Sequence, residues 1–104
     1  MSADPIRHIL DLLQAGRLAD ADRACDQVLQ SRPTFPPALS LAGMIALQQG
    51  DYARALQRTA LAAVLDPRNA ASESGLGFAL QMAGDARGAL EAFRRAAALD
   101  PNAA

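Results

Sequence analysis

The feature that leaves the fewest folds open to this chain is a period. Glycine stands at 16, 50 and 84, proline at 33, 67 and 101, and alanine at 21, 55 and 89, each series spaced by 34 residues. The phrase GDYARALQRTALAAVLDP, Gly50 to Pro67, returns as GDARGALEAFRRAAALDP, Gly84 to Pro101. A chain of 104 residues holds three such periods and almost nothing more, so residues 1–104 read as one domain with repeats at about 2–35, 36–69 and 70–103. A period of this length belongs to stacked helical hairpins, in which each unit buries its apolar side against the next.

Each period divides in the same way. A first apolar-periodic segment ends at a glycine, and a second ends at a proline. Leu56, Leu61, Val64 and Leu65 recur at helical and not at strand spacing. Asp51 and Asp85 follow glycines and can accept hydrogen bonds from the free N–H groups of a first helical turn. Pro67 and Pro101 cannot continue a helix, and they bias the aspartate before them away from helical geometry. The pattern predicts six helices, at 4–14, 18–31, 37–49, 52–65, 70–83 and 86–99, joined by loops short enough to force antiparallel neighbours.

Composition agrees with an all-α chain. Alanine supplies much of the apolar content, and the aromatics are three Phe and one Tyr, with no Trp. Gly43 and Gly77, again 34 apart, fall inside predicted helices, where glycine is disfavoured by about 1 kcal/mol relative to alanine. A matched pair of this kind marks a close crossing, with Ala21, Ala55 and Ala89 as the expected small counterparts. Gly75 has no such counterpart and reads as a residue that loosens its helix.

Several function classes lack their residues. The net charge is −1, and no basic surface of a nucleic-acid binder is indicated. No apolar run approaches the roughly 20 residues of a membrane span, and the first residues do not form a secretory signal. The expected location is cytoplasmic. All basic residues are Arg, and with the alanine richness this suggests bacterial, GC-rich coding. His8, the one histidine, has no metal-ligand partners at suitable spacing. Cys25, in mid-helix, reads as a buried and inert thiol. SGLGFAL follows no strand and is not a phosphate loop. No catalytic constellation and no cofactor site is present, so the chain reads as a non-enzyme. Arg54, Arg58, Arg87, Arg94 and Arg95, opposite Asp20, Asp22 and Asp26, read as a solvated outer face.

The pattern resembles the tetratricopeptide repeat. Gly43 and Gly77 match the family's small residue in the first helix of a repeat, Ala55 and Ala89 its alanine in the second, and Pro67 and Pro101 its closing proline. Tyr52 and Phe93 fit bulky positions of the second helix. The first repeat departs most, with Ile9 in place of the glycine and Cys25 where Phe93 stands. The family's tryptophan position holds Pro5, Leu39 and Glu73. The resemblance implies a right-handed α-solenoid of three helix-turn-helix repeats that binds a protein or peptide in a concave groove. It places Ile6, Leu10, Leu13 and Gln14, then Ser40, Met44, Leu47 and Gln48, then Ser74, Phe78, Gln81 and Met82 on that groove. The last two sets each form one helical stripe, apolar and adaptable. The family's carboxylate clamp would fall on Ile6, Leu10, Ser40, Met44, Ala71 and Gly75, none of them cationic, so a co-chaperone of that type is not expected.

Leu80, Leu90, Phe93 and Ala97 of the last hairpin are expected to face the position a further helix would occupy. Two expectations follow: self-association through that face, or a place as the N-terminal part of a longer bacterial enzyme. In proteins that resemble this one, such arrays precede sulfotransferase, glycosyltransferase or oxygenase domains.

Overall fold

The computed structural model describes residues 4–101. Its helices are α1 (Pro5–Gln14), α2 (Leu18–Ser31), α3 (Pro36–Gln49), α4 (Tyr52–Leu65), α5 (Ala70–Met82) and α6 (Ala86–Leu99). Every boundary lies within one residue of the span read from periodicity, and the described residues contain no strand. Helices pack as hairpins (α1 on α2, α3 on α4, α5 on α6), and the hairpins stack through α2 on α3 and α4 on α5. α3 also meets α5 directly. The result is an elongated all-α solenoid of 43 × 25 × 24 Å.

The turn inside each hairpin is built the same way. Gly16, Gly50 and Gly84 adopt φ of 75°, 79° and 90°, a left-handed conformation open to residues without a Cβ. Beyond Gly50, the Asp51 amide donates back to the Ala46 carbonyl at 2.9 Å; beyond Gly84, Asp85 donates to Leu80 at 2.8 Å. Arg17 repeats the bond to Leu12 at 2.9 Å. These bonds close the end of the first helix of each hairpin on itself. The next helix then starts on a side-chain cap, Asp51 accepting from the Arg54 amide at 3.2 Å and Asp85 from Gly88 at 2.9 Å. In the first hairpin the cap position is Arg17, which makes no such bond.

Alanine dominates the interior. One cluster joins Ile9, Ala21, Ala24, Cys25, Ala42 and Ile45, and a second joins Ala46, Ala55 and Ala79. The glycine crossings are real, but their counterparts differ from those expected. A Cβ on Gly43 would stand 2.5 Å from the Thr59 methyl and 3.3 Å from the Thr59 amide nitrogen, with the Ala55 carbonyl oxygen farther off at 3.5 Å. A Cβ on Gly77 would stand 2.6–2.9 Å from three ring carbons of Phe93. The pairs are therefore Gly43 with Thr59 and Gly77 with Phe93. The same offset of 16 residues pairs Ile9 with Cys25, both buried in the first cluster. A large first residue faces a small second one in the first repeat, and the third repeat reverses this. Between these two repeats the bulk changes helix, while the second repeat, with Gly43 and Thr59, is small on both sides.

The tryptophan position of the family is also solved differently in each repeat. Leu39 is buried and shares a surface depression with Leu61. Thirty-four residues on, Glu73 is only 5% exposed and accepts from Arg95 Nε at 2.8 Å.

Candidate functional site

The expected groove residues all lie on α1, α3 and α5, the first helix of each hairpin. Asn69 starts α5 by accepting from the amides of Ala71 and Ser72, and farther along the helix Ser74 and Phe78 line a space shared with α3. Between α3 and α5 lies a cavity of about 330 Å³ lined by Ser40, Met44, Leu47, Thr59, Ala71, Ser72, Ser74, Gly75 and Phe78. Five of the expected groove residues (Ser40, Met44, Leu47, Ser74 and Phe78) meet there. Met44 is 47% exposed and Phe78 55%, so bulky apolar groups stand open to solvent at its mouth. Phe78 is held by an edge-to-face contact with Phe93, ring centres 5.2 Å apart.

The cavity carries no ionisable side chain. The Ser40 and Ser72 hydroxyls bond each other at 3.1 Å, and the Thr59 hydroxyl donates to the Ala55 carbonyl at 2.8 Å. Three of the four hydroxyls in the wall are thus engaged with each other or with the backbone, the fourth being that of Ser74, and most of what the cavity offers a ligand is apolar surface.

The remaining expected groove residues lie elsewhere. Gln48, Gln81 and Met82 are exposed beyond the cavity. Leu10 and Gln14 line a separate, smaller depression of about 220 Å³ with Arg7 and Asp11. Ile6 and Leu13 are half-buried and pack against the first core cluster. Thr59 and Ser72 were not expected in this lining, and Ala71 and Gly75 were named only as positions of the family's carboxylate clamp. Gly75, read from the sequence as a residue that loosens α5, forms part of the cavity floor, and its lack of a 34-residue counterpart was the available signal. Leu41 occupies the matching position in α3.

The outer face is not the simple solvated surface expected. Arg54 of α4 reaches Asp22 at 3.2 Å and Asp26 at 2.9 Å on α2, and Arg58 reaches Asp26 at 3.4 Å. Burial opposes the Arg54 charge, but the two carboxylates outweigh it and the net direction of its pKa is upward. These partly buried pairs tie the first repeat to the second. Arg95 pairs with Glu73, while Arg87 and Arg94 stay exposed. Cys25 lies beneath this network. Burial first, and then Asp22 and Asp26, push its thiol up to about 11, which disfavours the reactive thiolate. His8 is exposed, and the described residues contain no group of three or more His, Cys, Asp or Glu able to hold a metal ion. No described helix is long and apolar enough to cross a membrane.

At the end of the stack, Leu90 is 50% exposed and Ala97 is exposed, while Leu80 and Phe93 are half-buried. The residues 34 positions earlier are covered: Ala46, Thr59 and Ala63 are buried, and Leu56 packs on the second cluster. The ring of Phe93 lies within its own hairpin, against Gly77 and Phe78.

The family model described as tetratricopeptide repeat matches residues 12–73, more than half of the chain. No curated protein matches the sequence. Among solved structures, an O-GlcNAc transferase mutant of Thermobaculum terrenum superimposes with a TM-score of 0.91 at 26% identity, over 99% of this chain and 21% of that one. The second tetratricopeptide domain of Spaghetti (RPAP3), bound to an HSP90 peptide, gives 0.87 at 16% identity, over 92% of this chain and 89% of that one. A thermophilic tetratricopeptide protein of Thermus thermophilus gives 0.80 at 22% identity, over 93% of this chain and 56% of that one. The last two are similar at the level of fold. The chain thus spans about a fifth of the transferase and a little over half of the Thermus protein. The matched segment, the 34-residue period and the stacked hairpins agree: the chain belongs to the tetratricopeptide repeat family.

Proposed function

We propose that the chain is a protein- or peptide-binding scaffold that receives an apolar or mixed segment on its concave side and performs no catalysis of its own. The observation that carries this is the uncharged cavity between α3 and α5, with Met44 and Phe78 exposed at its mouth. Thioether and aromatic surface adapts to irregular partners, and clefts between helices are where such proteins place ligands. The fold-level likeness to a domain holding an HSP90 peptide supports peptide binding in general. It does not extend to a carboxylate clamp, whose positions here are Ile6, Leu10, Ser40, Met44, Ala71 and Gly75, none of them charged.

The test is capture of partners from the source cells with the wild-type chain and with Met44→Glu/Phe78→Glu. Partners bound by the first and lost by the second, with helical circular dichroism unchanged, fit the reading. Partners retained by both overturn it.

A second reading is favoured by the transferase likeness: the same groove presents substrate to a glycosyltransferase-type domain in a longer protein. A reading frame that continues past residue 104 into such a domain supports it, and a stop codon removes it. The contrast between exposed Leu90 and covered Leu56 favours a further role for Leu80, Leu90, Phe93 and Ala97 in self-association. Sedimentation across a concentration series decides that point, since a chain that stays monomeric throughout does not use this face.

A further inference from the structure

The glycines inside α3 and α5 fall into two kinds. Gly43 and Gly77 are demanded by packing, because a Cβ at either would overlap a neighbouring side chain at 2.5–2.9 Å. Gly75 is not. A Cβ there would meet the Thr59 methyl at 3.5 Å, an ordinary contact, and no other atom within 4 Å. An alanine would fit, would favour the helix, and would fill part of the cavity floor. A helix that keeps an unnecessary glycine where a cavity opens breaks a local rule at a place where function is the natural reason.

We infer that the slot at Gly75 takes one bulky, uncharged apolar side chain (Phe, Leu or Met) of an extended partner segment and so sets which segments the groove accepts. The inference rests on the groove reading above.

The chemistry of the wall selects the occupant. The slot's floor is the Thr59 methyl, whose hydroxyl is turned back to Ala55, and its side is the paired Ser40 and Ser72. No cation or anion stands in the lining. A charged side chain entering it would lose water and find no opposite charge, with only hydroxyls such as that of Ser74 in the wall. Charges on the neighbouring helices are paired among themselves, Arg54 and Arg58 with Asp22 and Asp26, and Arg95 with Glu73. At about 330 Å³ the cavity is at the small end of ligand pockets and opens onto the groove, which suits a single anchoring side chain. The preceding interface is arranged differently. There the residue matching Gly75 is Leu41, which packs against the first core cluster.

The experiment is a titration of the ¹⁵N-labelled full chain with N-acetyl-phenylalanine amide, followed by amide chemical shifts. N-acetyl-aspartate amide serves as the charged control. The expected result is saturable shifts at Ser72 and Gly75, with a Kd of about 1 mM for so small a probe. The aspartyl probe leaves these amides unmoved. Gly75→Ala weakens the phenylalanyl probe by at least about tenfold while melting no lower than wild type. Unchanged binding to Gly75→Ala, or equal binding of the aspartyl probe, overturns the inference. Saturable shifts confined to Leu47, Gln48 and Gln81 in both proteins also overturn it, but leave the groove reading standing. If no amide of α3 or α5 moves, both fall.

Discussion

Exchanging the volumes at one crossing for those of another repeat probes the stacking account in depth. Replacing Gly77 by Ile, the residue at the matching position of the first repeat, puts a Cβ 2.6–2.9 Å from three carbons of the Phe93 ring. Overpacking of this kind is worth about 1–3 kcal/mol, offset by about 0.5 kcal/mol from removing a helical glycine. Gly77→Ile alone should therefore destabilise by about 1–2 kcal/mol. Phe93→Cys alone vacates the space beside Gly77 and removes the edge-to-face contact with Phe78. For a half-buried ring this amounts to about 2–4 kcal/mol. Together the two changes rebuild the Ile9–Cys25 arrangement, with the new isoleucine filling the space the ring left. The double variant should be more stable than the sum of the singles by about 2 kcal/mol. Urea unfolding followed by circular dichroism reads this coupling directly, and in a chain of this size each kcal/mol moves the melting temperature by about 4–8 °C. Additivity within about 0.5 kcal/mol would refute the claim that these crossings trade volume between helices.

Three further outcomes follow from the same contacts. Arg95→Ala should destabilise by about 1–3 kcal/mol by leaving the buried Glu73 carboxylate without its partner, whereas Glu73→Leu/Arg95→Leu, which copies Leu39 and Leu61, should be neutral or stabilising; denaturant midpoints of both variants decide it. Arg54→Ala should loosen the first repeat from the second, so amide exchange in α2 should speed up relative to α6. The folded Cys25 thiol ionises near 11 against an ordinary 9.0, so its raised pKa contributes stability that is intact below about pH 9 and is lost as pH rises toward 11. Alkaline unfolding curves should show that decline, up to about 2–3 kcal/mol, and Cys25→Ala should lack that part of it.

Local chemistry made much of this fold legible in the sequence. A glycine at every hairpin turn, an aspartate after two of them and a proline after each second helix act within a few residues of themselves. Each therefore means the same thing in a linear reading as in three dimensions. The helix-crossing glycines were equally visible, but not their counterparts. Whether Thr59, Phe93 or an alanine meets them depends on how two helices interdigitate. The Arg54 network was missed for a similar reason, since it joins residues 28 and 32 positions apart on neighbouring hairpins. The cavity at Gly75 was not legible because a glycine's effect on its helix can be seen locally, while the space it leaves can be seen only once α3 and α4 stand beside it.

The central claim is that partners bind on the concave side, between α3 and α5. Photo-crosslinking from single positions tests it most directly, with a benzophenone amino acid at Phe78 on that side or at the exposed Arg87 on α6. Binding on that side should give covalent partner adducts from position 78 and none from position 87. Adducts from position 87 alone would contradict it.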